Sequence, residues 1–498
     1  MAREGRDAPM GARRLQVLLL ALGCGGAPAT EPIDTEPVRT AGTTPSGTVP
    51  AGAAALSEVA AWVEPAYPTV VHVGWTQSAA ADVHLEFRAD DGEWRASPVR
   101  SLTEGGHEEL ILGVPYDAEV TWRLLTENDA GPSGSPDRTI ATGPRPASLP
   151  VASLLLAQPT GWDSDMDYVL VAVSENERLD ARVWTLLIDR QGRTVWAHRS
   201  PLLTNTLHPR LSATEDSFLV DHSTFFATFN AAGGQIVELK IDGSVQRTWL
   251  TPGHHHPFTQ QPDGSLVYMA YTGASPFAPD DDLLVWVDPD DDVRSILFSC
   301  DEFVRGLGAL PSNSDFSYCG SNTVSYSASE DAFLVSLFTH DTVVQIDAAT
   351  GAATRWFGDV PDSWGFEPAN TQFWYQHGAV FTPEGTLLVS THSTPDFDSD
   401  LAVREYRLDA STERLVEVFS AGIGLGIAGH QLGEAHRLAS GNTLHNFGTN
   451  AVLREYDPDG AVVWDVRWEE TQTGGQDRWL GRSAPVTGSL YDFAPPQP

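Results

Sequence analysis

At 498 residues, with 44 glycines, 34 prolines and 41% hydrophobic content, the chain is long enough for one small and one large folded unit. Its formal net charge of −37 excludes a nucleic-acid face, since phosphate binding needs a basic surface, and it disfavours adhesion to anionic membranes. An anionic small substrate would need a local positive patch. No long stretch keeps a 3.6-residue apolar period, so strands and turns are expected throughout.

Residues 1–24 read as an export signal of lipoprotein type. Arg3, Arg6, Arg13 and Arg14 give a basic start, and Leu15 to Leu22 give an apolar run too short for a mature membrane span. Ala21-Leu22-Gly23-Cys24 is similar to a bacterial lipobox, with Ala21 where leucine is usual, which makes Cys24 the expected lipid anchor. Ordinary signal cleavage nearby is the competing reading. Either way the protein is expected to be exported: periplasmic, outer-membrane-anchored or on the cell surface, touching membrane only through that anchor. Residues 25–54, rich in Pro, Thr, Gly and Ala, read as a flexible tether.

From 55 to 147 short alternating runs such as Val70–Trp75, Val83–Phe87 and Val120–Leu125 are separated by Gly, Pro and Asp turns. This predicts a fibronectin type III-like β-sandwich, with Tyr116 near a corner before a late strand. No chemistry is assigned to it.

Beyond a proline-containing link the chain repeats itself. An apolar residue followed by Asp recurs at Asp189, Asp242, Asp288, Asp347, Asp409 and Asp457, at intervals of 46 to 62 residues. A turn follows each, then an aromatic: Trp196, Trp249, Phe298, Trp356, Phe419 and Trp464. Six hairpin-bearing units of this length predict an all-β, six-bladed β-propeller over 151–475, with 476–498 as a C-terminal tail. An irregular two-domain β protein is the alternative. Within this region Cys300 and Cys319 are expected to form a disulfide in an oxidising compartment, with two buried free thiols as the alternative.

Residues just before the inner strands of different blades meet at a propeller's centre, and histidines stand at such positions. His254-His255-His256 precede the Pro262-Asp263-Gly264 turn, His377 precedes Pro383-Glu384-Gly385, and His436 precedes Ser440-Gly441. His256 and His377 lie at the same offset from their turn glycines, which favours a shared function over isolated structural roles. No carboxylate stands at ligand spacing beside the triple histidine, so no metal is expected there. Phe373, Trp374 and Tyr375 are candidates for an aromatic mouth. The acidic runs Asp280–Asp282 and Asp290–Asp292 lack the spacing of a calcium loop and read as solvated loop tips.

Over roughly 150–470 the sequence resembles the bacterial aryl-sulfate sulfotransferases (arylsulfotransferases), as a divergent member. Gly253–His256, Gln376–Ala379 and Glu434–Leu444 through Trp464 carry the likeness. Such enzymes have a small β-domain before a six-bladed propeller and pass a sulfuryl group from a phenolic sulfate to a phenol through a sulfurylated histidine, without a nucleotide donor. The resemblance implies that His377 is the nucleophile, and that His255 or His256 stabilises the sulfuryl oxygens or protonates the leaving phenolate. Asn322, His436 and Trp374 are the implied substrate contacts. The expected partner is a small phenolic or aryl-sulfate substrate, with a homodimer as a further expectation and no cofactor.

The departure lies in Gly320-Ser321-Asn322-Thr323. Here Gly320 stands where the family has a histidine, and Phe338 stands where it has an arginine 18 positions later. Losing a charged anion clamp costs about 3–4 kcal/mol of transition-state stabilisation. A non-catalytic propeller that binds a ligand or partner is therefore the rival expectation.

Overall fold

Strands make up nearly all the regular structure of the computed structural model, which describes residues 51–175, 182–199, 207–222, 234–273, 281–291, 293–309, 319–468 and 478–496. The export signal, Cys24 and most of the tether lie outside the described residues. Among the described residues no helix is long and apolar enough to cross a membrane.

Two antiparallel sheets occupy 56–141. One pairs Leu56–Val63, Val71–Gln77 and Gly105–Ile111, and the other is built on Ala81–Ala89 and Glu119–Asn128. Alternation places Val71, Val73, Trp75, Val83, Leu85, Phe87, Val120, Trp122 and Leu124 in one core between them. This unit is fixed to the sheets that follow. Tyr67 stacks on Trp196 and its hydroxyl meets His198 Nδ1 at 2.9 Å. Tyr116 stands just before the late strand Glu119–Asn128 and packs against an apolar cluster of the larger unit.

Among the described residues six sheets lie between 153 and 486, each with four antiparallel strands in meander order, the first completed by a strand from near the C-terminal end. Two of the six have one extra edge strand, parallel in one case and antiparallel in the other. The recurring Asp ends the third strand in each copy or stands just past it, and its carboxylate accepts from backbone N–H groups of the turn. Asp457 Oδ1, for example, accepts from Asp459 N and Ala461 N, and Asp189 Oδ1 from Gln191 N and Arg193 N. The following aromatic lies on the fourth strand outward in its own sheet, which is the edge strand except in the two sheets that carry an extra one. Apolar clusters fill the space between each sheet and the next, and also between the sixth and the first. The fold is all-β and β-propeller-like.

The first sheet departs from the expected tail. Its innermost strand, Leu480–Val486, comes from the C-terminal end and pairs with Tyr168–Ser174. The chain end therefore holds the first sheet and carries a residue into the middle of the molecule. Cys300, at the start of the helix Cys300–Gly306, is bonded to Cys319.

Candidate active site

The innermost strands of neighbouring sheets pack beside one another: Leu480–Val486, Glu434–Arg437, Trp374–Phe381, Ser321–Ser327 and His254–Gln260. Two of them are bulged where the histidines stand. Pairing of His254–Gln260 with its neighbour skips between His254 and Phe258, and His256 takes a left-handed φ of 58°. Pairing of Trp374–Phe381 skips on both sides of His377, with φ of 46° at Tyr375 and 61° at Gly378. Bulges re-aim side chains, and left-handed non-glycine residues persist only where the surroundings over-determine them. Gly378 is required on both counts, since a Cβ there would lie 2.5 Å from Glu434 Cα.

On one side the imidazoles are backed by carboxylates. His255 is buried and stacked on Tyr271, with ring centroids 3.5 Å apart. Its Nε2 meets Asp282 Oδ1 at 3.1 Å and its Nδ1 meets His256 Nδ1 at 2.7 Å. The other Asp282 oxygen accepts the Ser321 N–H at 2.8 Å. Next to this chain His208, absent from the sequence candidates, meets Asp221 Oδ2 through Nδ1 at 3.2 Å, and its ring lies 6.2 Å from that of His256. Burial pushes the Asp221 carboxyl up to about 6. Burial, then the charges of His255, His208 and Arg482, hold His256 well below the ordinary histidine range.

On the other side His377 has no carboxylate among its hydrogen-bond partners in the described residues. Its Nδ1 lies 3.1 Å from the Tyr375 carbonyl, and the Phe338 ring stands edge-on 5.5 Å away. Phe338 also contacts Tyr375 and Phe397, so the wall here is aromatic. Burial, followed by the charges of Arg482 and His392, keeps His377 well below the ordinary range and hence neutral near pH 7.

Arg482 lies between the two sides. It is fully buried, and its guanidinium donates to the carbonyls of Gly433 at 2.7 Å and Asn322 at 2.9 Å, and to Thr323 Oγ1 at 2.9 Å. It thereby ties the first sheet to the sixth and fourth across the centre. Burial lowers it to about 10, so it stays charged at neutral pH. Its charge bears on His208, His256 and His377 alike. Arg210 and Arg482 flank the buried Glu434. Burial works to raise that carboxyl, but Arg210, His436 and Arg482 together hold it well below the usual range.

Of the residues singled out from sequence, His256 and His377 thus feel the charge of a single guanidinium, and His255 is joined to His256. Asn322 is buried beside them, although its Nδ2 already donates to the Gln376 carbonyl at 2.9 Å. His436 is half-exposed and neighbours Glu434, at 3.7 Å, an ion-pair separation too long for a hydrogen bond. Trp374 is half-buried, held through its backbone N–H to Thr391 Oγ1. Phe373, just before the strand, is buried against Phe366 and Tyr406 and lines no mouth.

Two further expectations are corrected. Asp282 is no solvated loop tip: it is 2% exposed and engaged with His255. The site also has an arginine, supplied by Arg482 and not at position 338. The signal for Asp282 was a carboxylate abutting the apolar run Leu283–Val287. For Arg482 it was the short apolar stretch around it, Leu480 to Val486. Among the described residues, no group of three or more His, Cys, Asp or Glu side chains is arranged to hold a metal ion.

No protein-family model and no curated protein matches the chain. A protein of unknown function from Bacteroides caccae is similar in structure, at 14% identity and a TM-score of 0.42, over 64% of this chain and 97% of that one. Virginiamycin B lyase from Staphylococcus aureus is similar at 12% identity and a TM-score of 0.35, over 68% and 91% of the two chains. Hydrazine synthase from Kuenenia stuttgartiensis is similar at 10% identity and a TM-score of 0.36, over 56% and 75%.

Proposed function

We propose that the protein is a divergent aryl-sulfate sulfotransferase-like enzyme, using His377 to move a sulfuryl group from a phenolic sulfate ester to a phenol. In this reading the six sheets are the blades of a six-bladed propeller, the first two sheets are a fibronectin type III-like preface, and an N-terminal lipid anchor holds the exported protein at a membrane. The observation that carries the proposal is the grouping of neutral His377, His256 and charged Arg482 at the meeting of the inner strands.

The Tyr375 carbonyl accepts from His377 Nδ1–H, which leaves the lone pair on Nε2. That lone pair attacks sulfur, the bond from sulfur to the aryl oxygen breaks, and the phenolate leaves with the electron pair. The acceptor phenol reverses the sequence, forming a new oxygen–sulfur bond as the nitrogen–sulfur bond breaks. Arg482 favours the anionic donor and its charge-bearing transition state in a region screened from water. A neutral imidazole beside a cation suits this chemistry, since the cation discourages protonation of the nucleophile while attracting the sulfate.

The test is incubation with 4-nitrophenyl sulfate and phenol, followed by intact-mass analysis. Release of 4-nitrophenol with a sulfuryl adduct that vanishes in His377→Ala is expected. Absence of both ends the proposal.

A second reading, a non-catalytic binding propeller, has its own observation. The Arg482 guanidinium is already hydrogen-bonded to the protein, and Phe338 stands against His377. Binding of an aryl sulfate without turnover would favour it.

A further inference from the structure

Each contact in the chain Asp282–His255–His256 restricts where the protons sit. A carboxylate oxygen accepts, so its 3.1 Å contact calls for a proton on His255 Nε2. With His255 taken as the neutral ring, Nδ1 then has only a lone pair. The 2.7 Å contact between the two Nδ1 atoms needs one proton, and His256 must supply it. The remaining nitrogen of His256, Nε2, is then the acceptor of that ring. The backbone enforces this geometry: His256 is held in a left-handed conformation inside a bulge, and His255 is clamped face to face on Tyr271. Ser321 N–H fixes the second oxygen of Asp282, so the carboxylate cannot turn away.

We propose that Asp282 and His255 are positioning residues that fix the Nδ1–H tautomer of His256 and make its Nε2 the proton acceptor for the incoming phenol. The part played at the phenol rests on the sulfuryl-transfer reading, while the tautomer does not. In the transfer step the phenol oxygen bonds to sulfur, the bond from sulfur to His377 Nε2 breaks with its electron pair returning to nitrogen, and the phenol proton passes to His256 Nε2. The positive charge so formed is relieved through the chain: His256 Nδ1–H moves to His255 Nδ1 as His255 Nε2–H moves to Asp282 Oδ1. Run backwards from the proton-loaded state that one transfer leaves, the same shift protonates the phenolate that leaves the next donor ester.

Asp282→Asn separates this role from a purely structural one. The Ser321 N–H retains the amide oxygen, so the amide NH2 faces His255 Nε2 and forces that atom to accept. His255 then carries its proton on Nδ1 and donates to His256, whose own proton moves to Nε2. Histidine-labelled 15N spectra, with the His256 signals assigned from His256→Gln, should show an unprotonated Nε2 in the native protein and an unprotonated Nδ1 in Asp282→Asn. With 4-nitrophenyl sulfate, whose leaving group needs little protonation, Asp282→Asn should lose at least about tenfold more in transfer to phenol than in adduct formation. A protonated Nε2 on native His256, or native-rate transfer by Asp282→Asn, overturns the proposal. If the native protein forms no adduct, the sulfuryl-transfer reading fails and the catalytic part of this proposal with it. The spectra then still decide the tautomer.

Discussion

Two groups of histidines face the same arginine from surroundings of opposite kind. His208, His255 and His256 belong to the second and third sheets and are wired to Asp221 and Asp282. His377, in the fifth sheet, has a carbonyl behind it and an aromatic wall beside it. Burial leaves both His256 and His377 neutral, so charge does not tell them apart. What differs is the route by which a proton can leave. A proton arriving at His256 can be relayed to a carboxylate, whereas one arriving at His377 Nε2 has no such outlet among its hydrogen-bond partners in the described residues. Neutrality without an outlet suits a nucleophile, and neutrality with one suits a base.

The comparison is broken most directly by truncating one histidine from each side. His377→Ala should lower turnover of 4-nitrophenyl sulfate by at least about a thousandfold and abolish the sulfuryl adduct. His256→Gln should keep the adduct and slow its transfer to phenol by about a hundredfold. Adducts lost equally in both variants would mean that the two sides act as one unit.

Arg482 is what the two sides share. Arg482→Met removes the guanidinium that donates to the carbonyls of Leu432, Gly433 and Asn322 and to the Thr323 hydroxyl, and with it the cation felt by His208, His256 and His377. Unfolding in urea should register a loss of about 3 kcal/mol, and kcat/KM for the aryl sulfate should fall about a hundredfold. Loss of stability with unchanged kcat/KM would make Arg482 a tie between sheets and nothing more.

The six-fold repeat was legible because each Asp-bearing turn and each outer-strand aromatic is a local device, complete within about ten residues. The histidine pair was legible for a related reason, since equal offsets from a turn glycine survive as long as each hairpin is regular. Partners joined only in space were not. Asp282 looks like one member of a surface acidic run until the strand Asp282–Val287 carries it beside His255. Arg482 is separated from Tyr168–Ser174, the strand beside its own, by most of the chain. Phe373 shows the opposite failure. Its place beside Trp374 and Tyr375 suggested a shared mouth, but it is buried against Phe366 and Tyr406 before the strand begins.

Acid should act unequally on the two sides. A histidine whose folded pKa lies below its unfolded value contributes stability that is present above about pH 6.5 and is lost as pH falls towards the folded value. His392, packed near His377, is lowered to about 4, and His198, His254 and His445 to about 3, in each case by burial first. Each such group costs about 1.4 kcal/mol per pH unit across this window. Asp221 has the opposite sign. Its folded value of about 6 lies above the unfolded one, so it favours the folded state as pH falls from about 6 to 4. The urea midpoint followed by tryptophan fluorescence should therefore drop below pH 6.5. Asp221→Asn should steepen that drop between pH 6 and 4 by about 1.4 kcal/mol per pH unit. An unchanged slope would mean that Asp221 is ionised throughout and gives the His208 side no offset.

The smallest effect is expected at Phe338, where the family resemblance suggested the largest. If the anion at His377 relied on a cation from the Phe338–His340 turn, Phe338→Arg would repair the site and raise kcat/KM a few hundredfold. But Arg482 already places a positive charge close enough to bear on His377 and His256. A second guanidinium would also enter the aromatic wall of Tyr375 and Phe397, where it exchanges water for ring faces. The gain in the native background should therefore stay below about fivefold, with KM for the donor falling more than kcat rises. The same substitution in Arg482→Met should recover about tenfold, because there it supplies the missing cation. The two substitutions are thus expected to be strongly non-additive, as for groups that serve one anion from two directions. Additive effects, or a large gain from Phe338→Arg alone, would show that Arg482 does not serve the His377 side and that the two halves of the site do not share one charge.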